Sequence, residues 1–230
     1  MSGLKQAAFF MTKYQPSKEY LENINFYKEM HNSGFYRSDG KKKPKEKAYD
    51  GVSTTNFSLI IKRIIEQNRL ENMLDYGCGK AHYYNNDFIL DGKKQPGFKK
   101  LWDIEIDLYD PCYHEFSKLP KDSVYDLTIS IDVLEHIPTQ DIEWVLEEIF
   151  SKTKKYLFMN IACYESRALL PNGDNSHINI QSPEWWHKKI SPKVKKNDKL
   201  KVICLLSLKN NDGKKSFYPL QYNDSIKKYL

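Results

Sequence analysis

No hydrophobic run in this 230-residue chain is long enough to cross a bilayer as a helix. The apolar stretch near the start, Ala7-Ala8-Phe9-Phe10-Met11, is shorter than a signal-peptide core and has no cleavage-like sequel. Cysteine is sparse. Cys78, Cys112, Cys163 and Cys204 are scattered with no C-x-x-C pair, which argues against a disulfide framework and against a zinc site built on cysteine. No metal-ligand set is assigned, and the expected compartment is the reducing cytoplasm. Internal repeats are absent, as is any large charge imbalance; a net charge of +6 serves solubility. What remains, 40% hydrophobic and 29% charged, is a globular chain with one substantial core, or one core plus a small appendage.

The first third reads as helical and irregular. After Ser17, a plausible cap, Tyr20, Leu21, Ile24 and Tyr27 fall on one helical face. The charged run from Gly40 to Lys47 has no apolar period and reads as a solvated loop, with a phosphate-contacting arm as the alternative. Residues 1–52 are thus expected to form an extension, and 53–230 the main domain. Phe57, Ile60, Ile61, Ile64 and Ile65 then have the spacing of a buried helix face, with Thr55 or Asn56 available as cap.

From there strand-like and helix-like segments alternate. Met73-Leu74, Ile104 to Tyr109, Asp126 to Ile131 and Tyr156 to Ile161 read as strands. Ile142, Val145, Leu146, Ile149 and Phe150 form a helical stripe, and Pro183-Glu184-Trp185-Trp186-His187 reads as a helix start whose tryptophans cover a cleft, with core packing expected of at least one of them. Helix-length crossovers imply an α/β fold with a mostly parallel sheet covered on both faces. Val202 to Leu208 and Phe217 to Leu220 flank Asn210-Asn211-Asp212-Gly213, as in a terminal antiparallel hairpin.

The stretch Asp75-Tyr76-Gly77-Cys78-Gly79-Lys80-Ala81 follows a strand, where an open α/β sheet places its ligand. Its glycines permit a sharp turn and close ligand approach, and the helix expected next would offer free N–H groups. Together with Asp110, Leu119-Pro120, Tyr125-Asp126-Leu127 and Ile131-Asp132-Val133-Leu134-Glu135-His136-Ile137-Pro138, it resembles the class I S-adenosylmethionine-dependent methyltransferases, from Phe57 to about Ile161. Ala81 replaces that family's last glycine, and Asn85 to Lys100 stands as an insertion.

The resemblance implies a Rossmann-like, doubly wound fold that binds S-adenosylmethionine and releases S-adenosylhomocysteine. Asp75, Gly77, Cys78, Gly79, Asp110, Pro111, Asp132 and Val133 are the implied cofactor contacts: Asp75 for the ammonium, Asp110 for the ribose hydroxyls. The adenine contacts stay open, with only His114-Glu115 nearby where the family often has an acidic residue after its third strand. His136 and His177 are the candidate bases, since both sit after strands at the expected site. The expected acceptor is a small or medium molecule, a sugar or glycan unit or a nucleotide-like metabolite, methylated on oxygen or nitrogen. Two alternatives stand beside it. One is a nucleic-acid base methyltransferase, suggested by Asp110-Pro111-Cys112-Tyr113, and the other a non-catalytic adenosylmethionine-binding subunit. The lysines at 41–43, 45, 47, 193, 195 and 196 could form a nucleic-acid footprint, but no aromatic residues are interleaved among them.

Overall fold

In the computed structural model, which describes residues 11–220 and 222–229, six strands form one central sheet. They are β1 (Asn72–Tyr76), β2 (Glu105–Tyr109), β3 (Tyr125–Ile131), β4 (Thr153–Ala162), β5 (Lys201–Lys209) and β6 (Lys215–Leu220), in the order β6-β5-β4-β3-β1-β2. All neighbours pair in parallel except the edge hairpin β5–β6, which is antiparallel with Lys209 opposite Lys215. The α/β sheet and its terminal hairpin agree with the sequence expectation. The apolar segment from Ala7 lies outside the described residues except for Met11.

Four longer helices are α1 (Lys18–Ser33), α2 (Ser58–Asn68), α3 (Ile142–Ser151) and α4 (Pro183–Lys196). Side chains alternate across the strands, so each strand serves two cores. Met73, Leu127, Ile129 and Phe158 face α2, while Leu74, Leu157, Met159 and Val202 face α3 and α4. β3 is buried along its whole length, as expected of a central strand covered on both faces.

Local chemistry explains most element ends. The Ser17 hydroxyl accepts the Tyr20 N–H at 3.0 Å and caps α1, and Ser182 caps α4. Leu21 departs from the expected stripe, remaining 52% exposed. Neither Thr55 nor Asn56 caps α2: a short helix, Val52–Thr55, runs almost into it, and the Thr55 hydroxyl donates backward to the Val52 carbonyl at 2.7 Å.

Three segments differ more from expectation. Between β2 and β3 there is no helix, only a 3-10 turn at His114–Phe116, so His114-Glu115 follow β2 in the connection that leads to β3. The insertion is folded: a ribbon of Phe88–Leu90 with Lys93–Gln95 leads into the helix Phe98–Trp102, whose Trp102 indole donates to the Ser58 carbonyl at 2.9 Å. The lysine-rich run is solvated, with all of 40–47 exposed except half-buried Lys43, but it is more ordered than a plain loop. Lys42–Lys43 pairs antiparallel with Phe35–Tyr36, and the two ammonium groups lie over the Tyr36 and Phe35 rings at 5.6 and 5.8 Å. Among the described residues no helix is long and apolar enough to span a membrane.

Candidate functional site

At the C-terminal end of β1 the chain enters the turn Gly77-Cys78-Gly79. The Gly77 and Cys78 N–H groups donate to the Tyr109 carbonyl, at 2.7 and 3.1 Å, which ties the turn to the end of β2. Gly77 has φ +93°, and a Cβ there would overlap Val133 Cγ2; one on Gly79, at φ +58°, would overlap the Tyr49 carbonyl. The protein's own atoms therefore already require glycine at both positions, and both glycines also line the cavity beside the turn. Ala81 takes the left-handed conformation too, at φ +49°.

Three of the N–H groups expected to be free beyond the turn are taken. The helix there is only His82–Asn85, and Lys80, Ala81 and His82 donate to the carbonyls of Tyr49, Cys78 and Asp50 at 2.7, 3.1 and 3.1 Å.

A cavity of about 300 Å³ opens beside this turn. It gathers nine of the ten residues singled out from sequence: Gly77, Cys78, Gly79, Asp110, Pro111, Asp132, Val133, His136 and His177. The tenth, Asp75, does not line it. Asp75 lies 2% exposed beneath the turn and accepts the Tyr84 hydroxyl at 2.6 Å, and burial pushes its carboxyl up to about 7. Asp110, at the end of β2, accepts the Cys112 and Gly79 N–H groups at 2.8 and 2.9 Å; burial raises its pKa against the pull of these bonds. Asp132, one residue beyond β3, is held at φ +54°, a conformation that costs a side-chain-bearing residue strain, with its N–H on the Asn160 carbonyl at 3.1 Å.

The two histidines meet across the cavity wall, their ring centroids 4.8 Å apart. His177 Nδ1 lies 2.6 Å from the Tyr164 carbonyl. A carbonyl only accepts, so Nδ1 carries the proton and Nε2 keeps a lone pair. His136 Nδ1 lies 2.8 Å from both the Ser176 carbonyl and the Tyr27 hydroxyl, and Tyr27 also donates to Ser176 at 2.9 Å. Burial lowers both pKa values, His136 to about 3, so both rings are neutral near pH 7.

Comparisons with protein-family models, curated proteins and solved structures give no match. The site's chemistry is therefore read from its geometry alone.

Several lining residues were not singled out from sequence. α1 contributes Asn23 and His31 besides Tyr27; burial lowers the His31 pKa to about 4, and its Nδ1 is buried without a partner, as is Asn23 Nδ2. Lys43 is the only lysine or arginine lining the cavity among the described residues. A core of Tyr27, Met30, Phe35 and Ala48 with Ala168 and Leu170 joins this N-terminal wall to the loop carrying His177. The tyrosine spacing of α1 was the available signal, but which sheet end it docks on is a tertiary fact. Of the two tryptophans at the start of α4, Trp186 is fully buried in the core beside α3, the packing expected of at least one of them, and neither lines the cavity. Lys193, one of the lysines weighed as a nucleic-acid footprint and disfavoured for it, is buried and pairs with Glu143 and Glu147 at 2.6 and 3.3 Å.

Proposed function

We propose that the chain is an S-adenosylmethionine-dependent methyltransferase with a Rossmann-like, doubly wound fold, acting on the oxygen or nitrogen of a small or medium acceptor. One observation carries this reading: the Gly77–Gly79 turn, Asp110 and Asp132–Val133 end three adjacent strands and line a single cavity. β1 has β2 on one side and β3 on the other, so the winding reverses there, the position where open α/β sheets bind ligands.

Asp110 retains lone pairs for the two ribose hydroxyls after accepting its backbone bonds. Lys43 suits the cofactor's carboxylate, since the turn's N–H groups are already taken. That same consumption disfavours a dinucleotide, whose pyrophosphate needs those donors. Methyl transfer from a sulfonium is an in-line displacement that relies on alignment and water exclusion. A neutral His177 with Nε2 free suits the task of taking the acceptor's proton, with His136 held beside it. Sugar, glycan or nucleotide-like acceptors suit the polar wall of Asn23, Tyr27 and His31. The four free cysteines suit a reducing cytoplasm.

Thermal melts provide the test. S-adenosylmethionine and S-adenosylhomocysteine should raise the melting temperature and NAD should not; equal shifts with all three would refute the reading.

A further inference from the structure

We infer that Glu135, His136 and His177 form a binding site for a first-row divalent cation beside Asp132. One donor atom from each residue lies within 4.8 Å of the other two. Zinc-type ligand bonds of ~2.1 Å space donor atoms roughly 3–4 Å apart, so side-chain rotations of about 1 Å close the set.

Glu135 supplies the independent observation. It is fully buried, its Oε1 accepts the Ala162 N–H at 2.9 Å, and its Oε2 has no hydrogen-bond partner. Among the described residues no lysine or arginine pairs with it. A buried carboxylate oxygen without partner or counter-ion is costly, and a bound cation satisfies it. The histidines are prepared in the matching way. Each has Nδ1 against a backbone carbonyl, Tyr164 for His177 and Ser176 for His136, which fixes the ring and leaves Nε2 as the ligand nitrogen.

Two imidazoles and one carboxylate suit zinc, manganese, iron(II) or cobalt(II). Magnesium and calcium prefer oxygen throughout. The nearby Asp132 carboxylate, whose field reaches both Glu135 and His177, adds negative charge. His136, His177 and Asp132 line the cavity, so an acceptor oxygen there could complete the coordination shell. A cation would occupy the lone pair of His177, so the cation would then lower the acceptor's pKa in place of a base.

The cation site does not depend on the transferase reading, and its test reads metal rather than activity. The full chain, stripped with a chelator and dialysed, is titrated with Co²⁺ while visible d–d absorption is followed, and with Zn²⁺ and Mn²⁺ by calorimetry. One equivalent should bind. Glu135→Gln, which still accepts the Ala162 N–H, should weaken binding at least ~100-fold, and so should His177→Asn on the cavity side. His187→Ala, whose ring stacks on Tyr222 in α4, should change nothing and controls for stray imidazole binding. Circular dichroism confirms that each variant is folded. Absence of cobalt bands in the wild type, or binding indifferent to both site variants, overturns the cation site and leaves His177 as a base untouched. A cofactor that fails to shift the melt overturns only the transferase reading.

Discussion

Asp75 should destabilise the unliganded protein at neutral pH. Its carboxyl is 2% exposed, bonded to Tyr84, and titrates near 7 in the folded state. In the unfolded chain an aspartate titrates near ~3.9. Below about pH 4 both states hold the proton and the residue contributes nothing to the pH dependence. Between those values the native state binds one more proton than the unfolded state, so stability falls by about 1.4 kcal/mol per pH unit. The loss is complete above about pH 7 and amounts to roughly 4 kcal/mol. Asp75→Asn removes the titration yet still accepts the Tyr84 hydroxyl. Urea denaturation of both proteins from pH 4 to pH 8 reads the difference, in which other groups cancel. The variant should match the wild type at pH 4 and exceed it progressively, by several kcal/mol at pH 8. A difference that is flat with pH, or that favours the wild type as pH rises, refutes the argument.

Further outcomes follow from the same geometry. Gly77→Ala drives a Cβ into Val133 at φ +93° and should lower stability by about 2–4 kcal/mol, seen as a reduced urea midpoint. Ala81→Gly relieves a left-handed alanine at the cost of unfolded-chain entropy, so its stability should stay within ~1 kcal/mol of wild type; a larger loss would show that its methyl, not its backbone, matters. His177→Ala should lower turnover by about a hundredfold with cofactor affinity unchanged. Charge reversal at Lys43 should weaken S-adenosylmethionine binding in calorimetry, whereas reversal at the exposed Lys41 should not.

The sheet was legible because β1, β2 and β3 each run to a Gly or Asp, at Gly77, Asp110 and Asp132, and the parallel pairing followed from the spacing of the strands. The site strands were legible for the same reason: Asp110 and Asp132 follow the last residues of β2 and β3. Other features depend on pairs distant in sequence. The lysine run pairs with Phe35–Tyr36 because a ribbon forms across Gly40, which composition cannot signal. In the sequence Glu135 is only one member of the Ile131–Pro138 block, with no role of its own, and a 3-10 turn at Leu134–His136 carries it inward to the Ala162 N–H. Asp75 sits below the turn, bonded to Tyr84, while Tyr49 and Asp50 of the distant N-terminal segment accept the Lys80 and His82 N–H groups. That one tryptophan of Trp185-Trp186 packs in the core was legible; which of the two does so was not, because the sequence of an amphipathic helix does not declare which layer it faces.

The Tyr27 hydroxyl joins a carbonyl 149 residues further along the chain, and His136 lies 109 residues away. During synthesis, α1 leaves the ribosome early, but the surface it docks on does not exist until Ser176 emerges. At ~5–20 residues per second that interval is on the order of ten seconds. For that time Tyr27 and Met30 face water or whatever else binds apolar surface. This wall of the cavity thus closes long after β1 has been made, though before β5 and β6 complete the sheet.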